Sequence, residues 1–226
     1  SGESTSFLDA LFTATSAVCV TGLIVVDTGS YWNMFGQTII MILIEIGGLG
    51  FMSFTTLIAI ILGKKITLRE RLILQDAMNT FNIQGLVKMV KYVLVFTVSV
   101  QFFGALLLST QFIPEFGFGK GAFYSLFHSI SAFCNAGFDV LGKGNSLISF
   151  NTNVVVIMVL SILIIIGGLG FTVWSELYTC KSIRRVSIHS KMVLLITTGL
   201  VVGGTLLMFL FEHNNPQDRK STRLNS

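Results

Sequence analysis

Ser16-Ala-Val-Cys-Val-Thr-Gly-Leu23 returns later in the chain as Ser131-Ala-Phe-Cys-Asn-Ala-Gly-Phe138. Behind each copy stands the same hexapeptide, Ile46-Gly-Gly-Leu-Gly-Phe51 and Ile166-Gly-Gly-Leu-Gly-Phe171. A short loop ending in glycine, followed by an apolar helix interrupted by glycines, thus occurs twice. The cysteines lie 115 residues apart (134 − 19) and the hexapeptides 120 apart (166 − 46). The second copy therefore carries five extra residues between its loop and its helix, within 139–150. A duplicated unit in an apolar chain points to an arrangement about a pseudo-symmetry axis, and a pore is the natural occupant of such an axis.

The rest of the chain is apolar enough for that. Of 226 residues 52% are hydrophobic and only 12% charged, against about 25% charged in a soluble domain. The mean hydropathy is +0.79. Glycine is frequent (22) and proline rare (2), and small residues let membrane helices approach closely. This composition reads as an integral membrane protein. The net charge of +4 does not signal nucleic-acid binding, because no basic patch is interleaved with aromatic residues. Three cysteines cannot form a fully paired disulfide framework. Cys19 and Cys134 hold equivalent places and read most simply as small, half-buried loop residues. The N-terminus lacks the basic-then-apolar order of a signal peptide and opens inside a polar segment, as if the chain had been cut there.

Four segments are long and apolar enough to cross a bilayer, which takes about 20 helical residues. They are 34–62, 86–109, 154–177 and 191–211. Two shorter ones, 7–16 and 121–131, each run directly into a Cys-x-x-Gly loop. A short helix plus an irregular loop at membrane depth is a re-entrant hairpin, tolerated only where it lines a water-filled cavity or is buried in protein. Lys64, Lys65, Arg69, Arg71, Lys88 and Lys91 lie between the first two spans, and Lys181, Arg184, Arg185 and Lys191 between the last two. Only Lys120 and Lys143 fall between 110 and 153, and no basic residue falls before 34. The positive-inside rule makes the two basic connections cytoplasmic, so both re-entrant loops enter from outside. Arg219, Lys220 and Arg223 run against that orientation. The tail over 213–226 is accordingly expected to end in residues foreign to the native gene.

A cation crossing a bilayer must exchange its water shell for other oxygens, and rings of backbone carbonyls supply them in selectivity filters. Glycine permits the backbone angles this requires. A short helix before the loop aims its negative dipole end at the ion. The chain offers that combination twice.

With these residues in view, the sequence resembles the Trk/Ktr/HKT superfamily of potassium transporters, most closely the bacterial Ktr-type membrane subunit. The resemblance rests on Thr13-Ala-Thr-Ser-Ala-Val-Cys-Val-Thr-Gly-Leu23, Ile46–Phe51, His128-Ser-Ile-Ser-Ala-Phe-Cys-Asn-Ala-Gly-Phe-Asp139 and Ile166–Phe171, and covers residues 7 to about 212. It implies an all-α integral membrane fold of membrane–pore–membrane repeats, like a potassium channel fused into one chain. It further implies a simplified K⁺ filter with one glycine per repeat. Here those glycines are Gly22 and Gly137, with Val20, Thr21, Asn135 and Ala136 supplying neighbouring carbonyls. Cys19, Cys134 and Glu45 are weaker members of the set. Sodium-favouring relatives carry serine at the first filter glycine, so Gly22 implies potassium as the transported ion. Na⁺ is the coupling ion the resemblance would allow, and no cofactor is implied for this chain.

Laid on that pattern, 1–62 is the pore loop and second helix of repeat one and 63–85 a cytoplasmic linker. Residues 86–178 are repeat two, 179–190 a second linker, and 191–212 the first helix of repeat three. The third and fourth pore loops are missing, and two filter quarters cannot close a ring, so a fragment is expected. The resemblance also implies a multi-pass protein of the inner (plasma) membrane, a homodimer of complete subunits, and a cytosolic ring of nucleotide-binding regulatory subunits.

Several residues keep a second reading. The hexapeptide glycines serve either as hinges or for close helix packing. Glu45 lies mid-span, where a carboxylate is expensive; it either draws cations into an inner vestibule or pairs with a polar group on a neighbouring helix. Asp27 and Asp139 either concentrate cations at the mouth or are ordinary loop carboxylates. His128, Cys134 and Asp139 could be mistaken for a nucleophilic triad. The six-residue spacing of His128 and Cys134 in one short helix argues against it, and the chain has no paired carboxylates or metal-ligand spacing of an enzyme. The alternative function is a non-conducting membrane scaffold with two pore-like repeats.

Overall fold

The computed structural model describes residues 5–50, 86–142, 146–180 and 186–212. The chain divides into two compact units, Ser1–Gly170 and Phe171–Ser226. All regular structure among the described residues is helical. The first unit holds α1 (Phe7–Val18), α2 (Thr28–Tyr31), α3 (Met34–Leu49), α4 (Leu86–Phe116), α5 (Phe118–Phe133), a 3-10 turn (Ser146–Phe150) and α6 (Val154–Gly168). The second holds α7 (Phe171–Cys180) and α8 (Ile188–Glu212).

Local chemistry sets the helix starts. The first backbone N–H groups of a helix lack intrahelical partners, and Asn, Asp or Ser side chains satisfy them. Asn33 accepts from the Gly36 N–H at 2.9 Å to open α3. Asn153 opens α6 by accepting from Val155 and Val156 at 3.1 and 3.2 Å. These two asparagines lie 120 apart (153 − 33), in register with the hexapeptides. The five-residue offset therefore falls before Asn153, as expected; residues 143–145 of that stretch lie outside the described ones. Gly117, at φ 79°, separates α4 from α5 with a reversal that favours glycine. Gly121 then lets α5 lie against α4, because a Cβ there would stand 2.6 Å from the Ile113 Cα.

Two apolar clusters hold the first unit together. One joins α1, α3, α5 and the loop after α5 through Ala17, Ile40, Ile44, Phe127, Ile130, Ala136 and Phe138. The other joins α4, the 3-10 turn and α6 through Leu108, Phe112, Phe150, Val156, Leu160 and Leu163. Phe112 is fully buried, with Phe150 and His128 edge-on to it at 5.0 and 5.4 Å. In the second unit Glu176 of α7 accepts from the Ser187 N–H (3.1 Å) and the Ser190 hydroxyl (2.8 Å), fixing the start of α8.

Two helices among the described residues are long and apolar enough to cross a membrane, Tyr92–Phe116 and Ile188–Phe211. The expected span 86–109 runs on to Phe116, and 191–211 becomes Ile188–Glu212. The expected single span 154–177 is instead two helices: α6 ends at Gly168, and Gly170 adopts φ 84° before α7 starts. The expected span 34–62 is helical to Leu49, where Gly50 adopts φ 76°. A glycine in the left-handed region ends a helix without the Cβ penalty that any other residue would meet. The rest of that span, the connection 63–85, the residues Lys181, Arg184 and Arg185, and the tail 213–226 lie outside the described residues. The two short segments form slightly longer helices than expected, α1 and α5.

Candidate functional site

Both short helices end in the same way. After α1, the N–H of Cys19 bonds to the Thr15 carbonyl (2.9 Å), that of Val20 to Ala17 (3.2 Å) and that of Thr21 to Ser16 (3.0 Å). After α5, Cys134 bonds to Ile130 (2.9 Å), Asn135 to Ala132 (3.1 Å) and Ala136 to Ser131 (2.8 Å). This is a Schellman ending, whose reversal needs a left-handed residue just past the cap. Val20 takes that place at φ 55° and Asn135 at φ 58°; two residues on, Gly22 and Gly137 adopt φ 70° and 72°. The serine that opens each quoted copy ties helix to loop. Ser16 Oγ lies 2.9 Å from Thr21 Oγ1, and the Ser131 hydroxyl donates to the Phe138 carbonyl at 2.7 Å. Neither serine is among the residues expected at the site, although the duplication displays both.

The two loops meet. A Cβ on Gly22 would strike the carbonyl oxygen of Ala136 and stand 3.4 Å from the Gly137 Cα. A Cβ on Gly137 would lie 3.7 Å from the Gly22 Cα. Gly22, Ala136 and Gly137 are therefore side by side at the ends of α1 and α5, with Val20, Thr21 and Asn135 just before them in the chain. The Asn135 amide reaches the carbonyls of Phe133 (3.4 Å) and Ile164 (3.5 Å), which fastens the second loop to α6. A cavity of about 230 Å³ lies beside this loop, lined by His128, Ser131, Asn135, Gly137 and Asp139 among others.

The hexapeptide glycines divide by position. A Cβ on Gly47 would collide with the Val18 carbonyl, and one on Gly167 with the Phe133 carbonyl. Val18 and Phe133 are the last residues of α1 and α5, so each such glycine seats the long helix on the end of its own short one. A Cβ on Gly48 would collide with the Cys134 sulfur, so this glycine seats α3 on the loop of the other copy. A Cβ on Gly168 would meet, among the described residues, only Asn135 Nδ2, at 3.9 Å. A Cβ on Gly50 or Gly170 would meet nothing within 4 Å among the described residues, and both glycines adopt a positive φ.

Glu45 pairs with a polar neighbour. Its Oε2 accepts from Gln101 Nε2 on α4 at 2.8 Å and from the Cys134 thiol at 3.7 Å. Cys134 is half-buried, but Cys19 is exposed, which corrects the expectation for that residue. Gln101 was not singled out from sequence, since one amide in an apolar helix does not reveal its partner. Asp27 caps α2, accepting from the backbone and hydroxyl of Ser30. Asp139 accepts from the Leu141 N–H at 3.3 Å. His128 Nδ1 is taken up by the Tyr124 carbonyl at 2.7 Å, while the Cys134 thiol donates to Glu45. No histidine–cysteine pair is assembled. Among the described residues no three His, Cys, Asp or Glu side chains group as metal ligands do.

A family profile described as TrkH, cation transport protein, matches residues 1–209. The chain is 51% identical over 214 residues to the potassium/sodium uptake protein NtpJ of Enterococcus hirae, covering 95% of this chain and 47% of that protein. It is 46% identical over 211 residues to the Ktr system potassium uptake protein B of Bacillus subtilis, covering 93% and 47%. It is 40% identical over 213 residues to the protein of the same name from Vibrio alginolyticus, covering 93% and 46%. The chain spans about half the length of these relatives. Their names describe ion uptake, and none describes an enzyme.

Proposed function

Since this chain belongs to the TrkH family of cation transport proteins, we propose that it is part of the pore-forming membrane subunit of a potassium uptake system. In this reading the segments after α1 and α5 are pore loops. K⁺ sheds water and passes the backbone carbonyls of Val20, Thr21 and Gly22 and of Asn135, Ala136 and Gly137, with the C-terminal ends of two short helices aimed at it. The observation that carries the proposal is the contact of Gly22 with Ala136 and Gly137, made by two loops of matching backbone angles. Two further loops, on a longer chain, complete the ring. The relatives named as Ktr system proteins support a multi-subunit assembly. We assign this chain a multi-pass place in the inner (plasma) membrane, a homodimer of complete subunits and a cytosolic nucleotide-binding regulatory ring. Na⁺ is the candidate coupling ion, in keeping with the potassium/sodium uptake named for the Enterococcus relative.

The test is growth at low potassium. The complete reading frame that contains this chain should rescue cells lacking their own uptake systems. Gly22→Ser and Gly137→Ser should each weaken the preference for K⁺ over Na⁺. A frame that ends without further Gly-ending loops and gives no rescue would instead identify a non-conducting scaffold.

A further inference from the structure

Glu45 sits in an apolar helix where an unpartnered carboxylate would be costly, and its surroundings are built. Oε2 takes two donors, Gln101 Nε2 and the Cys134 thiol. Gln101 is itself held, because its backbone carbonyl accepts from the buried Ser129 hydroxyl at 2.7 Å. Gly104, one turn on from Gln101, leaves room for that hydroxyl, which a Cβ there would meet at 2.6 Å. The link therefore runs from α3 through α4 to α5, with a branch to the first residue of the second loop. Glu45 and Gly48 are three residues apart and so share a helix face. Both meet Cys134, the carboxylate as acceptor and the glycine as a bare surface. The equivalent position in the other copy is Ile165, 120 residues on. The repeated architecture does not itself require a carboxylate there.

We infer that Glu45 is a positioning residue. It anchors Cys134 and thereby fixes the carbonyls of Asn135, Ala136 and Gly137 against Gly22, setting cation preference without meeting the cation. A hydrogen bond does this work, so an amide at the same place does it too. A carboxylate that attracted cations by its charge could not be replaced in that way.

This inference rests on the filter proposed above, and the experiment separates the two. In uptake-deficient cells carrying the full-length subunit, initial K⁺ uptake is measured with and without competing Na⁺, at matched membrane abundance. Glu45→Gln keeps the preference within about twofold, since its amide oxygen still accepts from Gln101. Glu45→Ala lowers the preference about fivefold, as expected for losing a hydrogen bond that holds the loop. Cys134→Ala, which deletes only the thiol, lowers it in the same direction and stands in if Glu45→Ala fails to reach the membrane. Unchanged preference in the alanine variants overturns the inference, and so does an equal loss in Glu45→Gln, which would assign the effect to charge. Gly22→Ser and Gly137→Ser run beside them. If these keep full preference the filter itself is wrong, whereas if they lose it and the alanine variants do not, only the role of Glu45 falls.

Discussion

The two copies of the loop-and-helix unit agree in backbone and differ in packing. After α1 and after α5 the hydrogen bonds and positive φ values correspond residue by residue. The glycine that seats the long helix on the end of the short one corresponds as well. The burial does not. Only Thr13, Ser16 and Ala17 of α1 are buried, whereas α5 buries eight residues, packed against α3, α4 and α6. Phe7, Leu8, Leu11 and Phe12 of α1 stay exposed. What was duplicated and kept is thus the backbone geometry of the loop and of the helix end before it. The side chains around it follow whatever neighbours each copy has. Substitutions placed at matched positions test that division, and their effects are read on the full-length subunit as membrane yield and thermal stability after extraction.

The largest effect belongs to the glycines that meet backbone. Gly47→Ala and Gly167→Ala should each destabilise by about 3 kcal/mol, the upper part of the range for overpacking, because a main-chain carbonyl cannot turn aside as a side chain can. Equal losses would uphold the correspondence, and a tolerated change at one site would break it.

Gly48→Ala should cost somewhat less, about 2 kcal/mol, since the Cys134 sulfur it strikes can rotate although the Cys134 Cβ, at 2.7 Å, cannot. Gly168 makes the sharper comparison. Among the described residues, a Cβ there would meet only the Asn135 amide, at van der Waals distance. If a third loop seats on α6 as the second seats on α3, Gly168→Ala in the full-length subunit should match Gly48→Ala. A neutral Gly168→Ala would mean that the correspondence ends with the second copy.

Much of this was legible beforehand because glycine is read from sequence without ambiguity. Gly22 and Gly137 stood out as paired, and they do lie side by side. The hexapeptides were legible as positions but not as roles. Packing against a carbonyl, packing against a thiol and ending a helix all ask for glycine, and only the fold says which applies. Hence 154–177 was expected as one helix although Gly170 divides it. Gln101 was illegible for the opposite reason, because its significance lies wholly in the partner that α3 brings to it. The helix caps were readable in principle, since Asn33 and Asn153 keep the 120-residue register of the hexapeptides.

Those caps give the third comparison. Asn33→Ala and Asn153→Ala remove matched N-caps, each at a cost of about 1 kcal/mol. Asn153 should cost somewhat more, because its amide also donates to Gln111 on α4 at 2.9 Å, a contact without counterpart at Asn33 among the described residues. Equal losses would show that this bond adds nothing to the cap.

The smallest effect lies where the copies share a backbone and differ in residue. Val20 and Asn135 both hold the left-handed position that follows the helix cap. A β-branched side chain crowds its own carbonyl there, at a cost of roughly 1–2 kcal/mol relative to residues that accept the conformation. Asparagine is among those that do. Val20→Asn should therefore stabilise the subunit by up to about 1 kcal/mol, the gain being partly offset by lost contact with the apolar cluster of α1, α3 and α5. Asn135→Val should destabilise by more than that, because it adds the crowding and also removes the amide bonds to Phe133 and Ile164. A stabilised Val20→Asn that still selects K⁺ would show that the first loop needs only its backbone at this position. A stabilised variant that no longer selects would show that the strained valine is itself part of how the loop discriminates.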